Sequence, residues 1–233
     1  MSKQRLVRKD FPWSSNLAYV VGLIATDGNL SSDKRHVSLT SCDLNLCKIF
    51  LGCLNKSNRP TLNPPSAISR KNCYRVQIGD VVFYNWLLKI GLTPNKSLSI
   101  EKIDIDYKYF PDFLRGNIDG DGSIIFYKDK YNTALNTNYV YDRLFVYFLS
   151  ASKKYIMWIQ KTIQTIINIS GSIQNKRSGK NAMRYRPMYL LKFSTKEAKI
   201  LLNYVYYKKN LPCLKRKYLI AKPFLDFQAQ ITL

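Results

Sequence analysis

Two acidic residues, Asp27 and Asp121, end similar short segments in the two halves of this 233-residue chain. Val20–Gly28 reads VVGLIATDG and Leu114–Gly122 reads LRGNIDGDG, so both copies have glycine third, isoleucine fifth and Asp-Gly last. Two adjacent carboxylates repel each other unless a cation lies between them. Carboxylate oxygens suit Mg²⁺, Mn²⁺ or Ca²⁺, and a metal beside a phosphodiester can activate water and stabilise the leaving oxygen. The pair therefore predicts a divalent-metal site.

The repeated segments are predicted to be buried helices that cross each other. Almost every residue from 17 to 25 is apolar, which is typical of a helix buried on all sides. Glycine costs a helix about 1 kcal/mol relative to alanine, yet Gly22 and Gly116 occupy the same position in both copies. A crossing at Gly22/Gly116 and Thr26/Gly120 explains the small residues and brings the terminal acids together. In the alternative interpretation, the Asp-Gly pairs only end helices and open turns.

The charge of the chain indicates a polyanionic partner. There are 37 Lys and Arg residues against 15 Asp and Glu, a net charge of +22 that is spread along the sequence. Nucleic acid is the polyanion that such a surface most commonly neutralises. A generally basic soluble protein is one alternative. An anionic membrane surface is another, but no basic amphipathic helix with an apolar face is visible. No apolar run reaches the ~18 residues of a membrane span.

The cysteine and histidine content limits the chemistry and the compartment. Five cysteines form an odd set without a CxxC pair, which predicts reduced thiols in an intracellular protein, in the cytoplasm of a prokaryote or in an organelle. The N-terminus lacks the apolar stretch of a signal peptide. His36 is the one histidine, so a histidine metal cluster is excluded and any histidine-centred nuclease motif rests on that residue alone.

The pattern of apolar residues predicts an α+β protein made of two pseudo-symmetric α-β-β-α-β-β-α halves. The predicted boundaries are 1–92 for the first half, 93–109 for a linker, 110–221 for the second half and 222–233 for a tail. The strands alternate between apolar and polar residues, which is typical of antiparallel sheets with one face on helices and one face free. The free, polar face is predicted to meet the ligand.

The two segments resemble the motif of the LAGLIDADG homing endonucleases, in the form that carries two motifs in one chain. They match it at the glycine, isoleucine and terminal Asp-Gly positions, and the order of elements agrees over about residues 10–220. The first copy departs from the family pattern at Ala25, where the consensus has Asp. Arg115 and Asn117 replace apolar residues in the second copy. None of the three departures changes the terminal acids.

The resemblance implies a monomer in which two antiparallel sheets form a saddle over double-stranded DNA. Such enzymes recognise a long site and cut both strands across the minor groove, leaving 3′ overhangs. Mg²⁺ is the implied cofactor, with Mn²⁺ as a substitute and Ca²⁺ expected to bind without supporting cleavage. The halves differ in sequence throughout, so a palindromic target is not expected.

The resemblance also implies the metal ligands. Asp27 and Asp121 are the implied metal-binding and catalytic acids. The backbone carbonyls of the residues that precede them, Thr26 and Gly120, are further candidate ligands.

Family members often place a lysine or a glutamine near the metals, and Gln77 and Lys192 fall at equivalent positions of late strands. Either one is a candidate to orient the attacking water or to stabilise the phosphorane charge, or to be a plain DNA contact. Strand alternation adds a set of candidate DNA contacts, which a one-residue slip would move to the other face. They are Asn29, Ser31, Lys34, Arg35, Ser38, Thr40, Ser69, Lys71, Arg75 and Gln77 in the first half, and Ser123, Tyr127, Gln174, Lys176, Arg184, Arg186 and Lys192 in the second.

Two other functions on the same fold stay open. One is an intron RNA-splicing maturase, for which the chain's own intron RNA would be a partner, alone or together with nuclease activity. The other is a non-catalytic DNA-binding regulator. A binder has no need for two carboxylates that repel DNA phosphates, so the acid pair favours the nuclease. An unrelated RNA-binding protein is disfavoured because the aromatic strand signatures of RNA-recognition modules are not seen.

Overall fold

The computed structural model describes residues 11–63, 72–131, 140–178 and 186–226. Three of the predicted DNA contacts, Ser69, Lys71 and Arg184, lie outside the described residues. The same is true of residues 227–233 of the predicted tail.

The first half has the predicted order of helices and strands. Its elements are α1 (Ser15–Thr26), β1 (Gly28–Leu30), β2 (His36–Ser41), α2 (Leu44–Cys53), β3 (Thr61–Asn63), β4 (Cys73–Gly79) and α3 (Val81–Lys89). The strands form one antiparallel sheet in the order β1-β2-β4-β3. Strand β1, which follows the first motif helix directly, is therefore at an edge of its sheet.

The second half repeats this topology. Its elements are α4 (Phe110–Asp119), β5 (Ser123–Asp129), β6 (Tyr141–Ser150), α5 (Lys153–Ile167), β7 (Ser172–Ser178), β8 (Arg186–Ser194) and α6 (Thr195–Val205). The antiparallel sheet has the order β5-β6-β8-β7, so β5 is the edge strand that corresponds to β1. The predicted α+β class with two similar halves is confirmed. A further helix that the sequence analysis did not predict, α7 (Lys215–Ala221), follows the second half.

Several helices begin at a residue whose side chain caps the free backbone N–H groups. The side chains of Ser14, Asp80 and Ser152 each accept a hydrogen bond from the backbone N–H three residues later, at 3.0 to 3.3 Å. Capping of this kind satisfies one of the unpaired donors at a helix start and is worth about 1 kcal/mol. The caps fix where α1, α3 and α5 begin.

The predicted strand faces are those observed. Val37, Leu39, Val76 and Ile78 are buried in the first sheet, and Thr40, Arg75 and Gln77 on the opposite face are exposed. In the second sheet Ile124, Leu144, Val146, Phe148, Leu191 and Phe193 are buried on the face toward the helices, and Leu190 on the opposite face is only 6% exposed. Each sheet therefore packs one face on helices and leaves the other face open.

Two further findings concern the cysteines and the hydropathy of the helices. Cys42 and Cys73 are paired in a disulfide, so the prediction that all five thiols are reduced is wrong for these two. Cys47, Cys53 and Cys213 are free. Among the described residues, no helix combines the length and the apolar character that a membrane crossing requires.

The motif helices α1 and α4 pack directly against each other through glycine. The Cβ of an alanine at Gly22 would collide with the carbonyl oxygen of Phe113 and lie 3.0 Å from the Cα of Gly116. The reciprocal change at Gly116 would collide with the carbonyl oxygen of Tyr19. The crossing predicted from the small residues is therefore what the structure shows, with backbone touching backbone.

We expect Gly22→Ala and Gly116→Ala each to lower the free energy of unfolding by about 2–3 kcal/mol, because rigid backbone atoms must move to admit the methyl group. Urea denaturation followed by circular dichroism measures this change. Gly52→Ala is the matched control, since nothing lies within 4 Å of a Cβ at that helical position. The control should be neutral or slightly stabilising, and equal effects at all three glycines would contradict the close crossing.

Candidate functional site

The two motif acids meet where the crossing helices end. Asp27 is the C-terminal cap residue of α1, and Asp121 follows the last residue of α4 by two positions. A Cβ added at Gly120 would collide with the side chain of Thr26 and lie 3.3 Å from Oδ2 of Asp27. The two carboxyl groups are close enough that each affects the pKa of the other. The structure thus brings together the predicted acids and the small residues beside them.

The acid pair is electrostatically strained. Burial, together with the negative charge of Asp121, raises the pKa of Asp27 to about 7. Asp121 as a whole residue is exposed to solvent. Its carboxyl group is nevertheless surrounded by enough protein that desolvation raises its pKa. Without a metal, such a pair keeps a proton up to a higher pH than two isolated carboxyl groups would.

A lysine that the sequence analysis missed lies directly beneath the pair. The Nζ of Lys217, on α7, donates to the carbonyl oxygens of Ile118 (2.5 Å), Asp119 (3.0 Å), Gly120 (2.9 Å) and Gly122 (2.7 Å). These carbonyls close the end of α4, where the helix dipole favours a cation. The ammonium lowers the pKa of both motif acids, and its own pKa falls to about 8 because the side chain is buried.

A second buried lysine occupies the corresponding place in the first half. The Nζ of Lys96 donates to the carbonyl oxygen of Gly28, which is the counterpart of Gly122 in the repeated segment. It also lowers the pKa of both acids, while burial lowers its own pKa to about 8. The segment LTPNKS at residues 92–97 is loosely echoed by LPCLKRK at 211–217, but the echo places Lys96 opposite Lys215, so it does not by itself identify Lys217.

The donor set fits a hard divalent cation that keeps part of its hydration. No group of three or more His, Cys, Asp or Glu side chains occurs within the described ranges, so protein side chains alone do not enclose an ion. Mg²⁺ is commonly held by one or two carboxylates with waters and substrate phosphates as the other ligands. The Asp27–Asp121 pair matches that pattern. The Gly120 carbonyl, a candidate further ligand, already accepts a hydrogen bond from Lys217.

One residue of the second motif helix that departs from the consensus, Arg115, anchors the helix. Arg115 is fully buried, and its guanidinium donates to the carbonyl oxygens of Pro212 (2.9 Å) and Val205 (2.8 Å) and to Asp112 (2.6 Å). A buried charge is tolerated when it is paired and its donors are satisfied. Arg115 therefore ties α4 to both ends of the segment between α6 and α7.

Other polar side chains on α4 are also hydrogen-bonded inside the core, although Oδ1 of the Asp119 carboxyl group is buried without a hydrogen-bond partner among the described residues. Asp119 accepts hydrogen bonds from the hydroxyl of Tyr19 on α1 and from the backbone N–H of Leu214, both at 2.7 Å. Asn117 accepts a hydrogen bond from the hydroxyl of Tyr155 on α5. Leu214 immediately precedes α7, so Asp119 helps to place the helix that carries the lysine beneath the acids.

The predicted catalytic side chains Gln77 and Lys192 lie in equivalent strand positions. Gln77 pairs with Ser38 in the first sheet, and Lys192 pairs with Tyr147 in the second. Gln77 is exposed. The Nζ of Lys192 lies 4.3 Å from the ring centroid of Phe145, where the ring attracts the cation. Their catalytic roles stay predictions.

The predicted DNA contacts of the first half lie on its open sheet face and in the adjoining turn. Asn29, Lys34, Arg35, Thr40, Arg75 and Gln77 are exposed, and Ser31 is half-buried. Ser38 has the predicted orientation but is only 5% exposed, because Arg75 covers it with a guanidinium 3.4 Å from its hydroxyl.

The described residues of the second half combine polar and aromatic side chains on the corresponding face. Tyr127 and Gln174 are exposed, whereas Ser123 and Lys192 are half-buried. Lys176 and Arg186 lie on β7 and β8. The neighbours of Tyr127 include Arg143, with which it pairs across the strands, and Phe145, at 6.2 Å between ring centroids.

Comparisons with known proteins identify the fold. No family model matches the sequence, and no curated protein matches it. Among solved structures, the meganuclease I-SmaMI bound to uncleavable DNA has a TM-score of 0.56 and 13% identity over 91% of this chain and 90% of that one. The homing endonuclease I-WcaI bound to its DNA recognition sequence has a TM-score of 0.56 and 14% identity, with 90% and 88% covered.

The same fold also occurs in WhiA. The full-length WhiA protein from Thermatoga maritima has a TM-score of 0.53 and 16% identity over 92% of this chain. This chain spans 63% of the length of that protein. At these identities the comparisons show the fold, and the structural neighbours are LAGLIDADG homing endonucleases and WhiA.

Asp27→Asn should stabilise the metal-free protein at pH 8. The folded form binds the Asp27 proton more tightly than the unfolded chain, because the pKa rises from 3.8 to about 7 on folding. The wild type therefore loses stability as the pH rises between these values. The amide cannot ionise, so we expect a gain of roughly 1–4 kcal/mol at pH 8, at about 1.4 kcal/mol per pKa unit, and a smaller gain at pH 4.

Thermal unfolding in the presence of a chelator measures this difference. Asp104→Asn, which removes an exposed carboxylate from the segment between the halves, is the charge-matched control and should show no such pH dependence. A destabilised Asp27→Asn variant at pH 8 would mean that the carboxylate is favourably paired without metal.

Proposed function

We propose that this chain, which has the fold of the LAGLIDADG homing endonucleases, is a site-specific, metal-dependent DNA endonuclease. Its proposed substrate is a long, non-palindromic duplex site, of which both strands are hydrolysed to leave 3′ overhangs. The observation that carries the proposal is the Asp27–Asp121 pair. Helix packing holds these two carboxyl groups together despite their mutual repulsion, and neither is needed for a core.

The position of the pair suits a reaction on DNA. Asp27 immediately precedes β1 and Asp121 lies two residues before β5, the corresponding edge strands of the two sheets. A duplex that lies along the two open sheet faces would therefore pass over the acids at its centre. Because one chain supplies both acids, a single copy is enough, which supports a monomer.

The residues of the chain can be given distinct roles in this mechanism. Asp27 and Asp121 would hold Mg²⁺, which when bound activates water and stabilises the leaving oxygen. Lys96 and Lys217 fix the backbone below the acids and lower their pKa values, which favours the ionised form that binds metal.

Lys192 and Gln77 are proposed to orient the attacking water or to stabilise the charge of the transition state. The polar face of the first sheet would read base edges, because arginine suits guanine and glutamine or asparagine suits adenine in the major groove. The net charge of +22 would supply attraction to the phosphates.

A non-catalytic binder of nucleic acid is the alternative. WhiA has the same fold and is not named as a nuclease, so the fold alone does not decide between cutting and binding. A DNA-binding regulator and an intron RNA-splicing maturase are the two forms of this alternative. Neither function requires two adjacent carboxyl groups, so neither explains the acid pair with its raised pKa values.

Asp27→Asn and Asp121→Asn should each reduce DNA cleavage at least about a hundredfold, the order of loss seen when one transition-state contact is removed. DNA binding should be retained, since each change removes a negative charge from the DNA-facing surface. The assay is cleavage of a randomised duplex library with Mg²⁺, read by sequencing the cut ends, beside a binding assay with Ca²⁺. Asp104→Asn is again the charge-matched control and should cut like the wild type.

Discrete cut sites with 3′ overhangs that disappear in both active-site variants would support the endonuclease. Enrichment of bound duplexes without any cutting would instead support the regulator. Binding to structured intron RNA without cutting of DNA would support the maturase.

Affinity for duplex DNA should fall steeply with salt. Neutralising each phosphate releases counterions, so a protein that makes roughly six to ten phosphate contacts loses about 10³–10⁵ in affinity between 50 and 200 mM salt. Fluorescence anisotropy with a selected duplex measures the slope. A binding constant that stays flat over this range would contradict the assignment of the positive charge to DNA binding.

A further inference from the structure

The open faces of the two sheets have the same register, and their chemistry differs at three of five corresponding positions. Asn29 and Ser123 are the first residues after the glycine that ends each motif, and each begins a row of residues paired across the strands. The corresponding rows are Asn29, Ser38 and Gln77 with Ser123, Tyr147 and Lys192, and then Thr40 and Arg75 with Leu149 and Leu190. Ser38, Thr40 and Arg75 of the first half therefore correspond to Tyr147, Leu149 and Leu190 of the second. Asn29 and Gln77 correspond to the polar residues Ser123 and Lys192.

The aromatic face, defined as Ile125, Tyr127, Phe145, Tyr147 and Lys192, is the centre of this apolar surface. Ile125 pairs with Phe145 across β5 and β6, and it is 43% exposed, while Tyr127 is 48% exposed. Such exposure of large apolar side chains is unusual unless the surface has a partner. The helices of the second half cover the opposite side of the sheet, so nothing within the described ranges buries this one.

The geometry of the Phe145 and Tyr147 rings is unsuited to stacking on unpaired bases. Phe145 and Tyr147 are stacked on each other, with centroids 5.9 Å apart and 22° between the ring planes. The ammonium of Lys192 lies over the ring of Phe145. Base stacking needs a free ring face, whereas side chains that stand upright on a strand present their edges. The aromatic face therefore offers the aliphatic side chain of Ile125 and the ring edges of Phe145, Tyr127 and Tyr147, with hydroxyl groups at the tips of the two tyrosines.

The apolar group that duplex DNA offers in its major groove is the C5-methyl group of thymine, and apolar side chains are its usual contacts. We propose that the second half recognises its part of the DNA site through thymine methyl groups, which pack against Ile125 and the ring edges of the aromatic face. The first half reads hydrogen-bonding groups instead. This inference rests on the proposed DNA-binding function and specifies the substrate of one half.

Replacement of thymine by uracil tests the proposal, because it removes the methyl group and leaves the base pairing intact. A target is first selected from a randomised duplex library with Ca²⁺, and deoxyuridine then replaces thymidine in one half-site at a time. We expect affinity to fall about fourfold for each contacted methyl group in the half-site of the second sheet, the factor that corresponds to burying about one methylene. Replacement in the other half-site should have a smaller effect.

Variants assign the half-sites and the contacts. Arg75→Ala, on the first sheet, should relax base preference in one half-site only, and the other half-site then belongs to the second sheet. In the half-site of the second sheet, Arg75→Ala should leave the ratio of the affinities for the thymine and uracil duplexes unchanged. Ile125→Ser and Tyr127→Ser alter exposed side chains. Each variant should bind the thymine and uracil duplexes equally at the position it contacts, because the apolar side chain that would pack against the methyl group is already missing.

The outcomes separate this inference from the function on which it rests. A chain that selects and cuts a duplex but shows no loss with uracil in either half-site would overturn the inference and leave the endonuclease intact. A chain that selects no duplex at all would overturn both. Tight binding to single-stranded RNA that Tyr127→Ser abolishes would overturn the inference in favour of a base-stacking surface.

Discussion

The rest of the structure depends on the direct backbone contact between the two motif helices. Gly22 and Gly116 lie at the crossing, and a side chain on either would collide with the main chain of the other helix. Two helices in such close contact are still close together little more than one turn beyond the crossing. The acids at the ends of the helices therefore lie next to each other. The closeness of the two acids is therefore a consequence of packing in the core. Their mutual repulsion lowers the free energy of unfolding, and the favourable interactions of the rest of the molecule offset it.

The polar residues of the second motif helix convert this packing into a site. An apolar helix would need only complementary shape, but α4 carries a buried arginine and a buried aspartate that must be satisfied. Arg115 and one oxygen of Asp119 bind backbone groups between the end of α6 and the start of α7, while the other oxygen of Asp119 has no hydrogen-bond partner in the described part of the chain. The same bonds position α7 so that Lys217 reaches the end of α4. The departure from the consensus at Arg115 thus supports the lysine that adjusts the pKa values of the acids.

The two halves keep one topology and differ in surface chemistry. Their sheets have the same strand order and the same register relative to the motif acids. Core positions tolerate little change, because buried faces must pack against helices. The open faces carry no such restriction, so hydrogen-bonding groups at Thr40 and Arg75 correspond to apolar groups at Leu149 and Leu190. A single chain can therefore present unlike surfaces to the two ends of a duplex.

The sequence by itself determined the features that arise from local order. The repeated motif, the α-β-β-α-β-β-α order and the orientation of the strand faces follow from periodicity over a few residues, and the glycines indicated the crossing. The tertiary structure decided which distant groups meet. Lys96 and Lys217 lie far from the acids in sequence, and the pairing of Cys42 with Cys73 joins separate elements. Such meetings depend on how helices and sheets pack in three dimensions, and no local pattern of residue types encodes that packing.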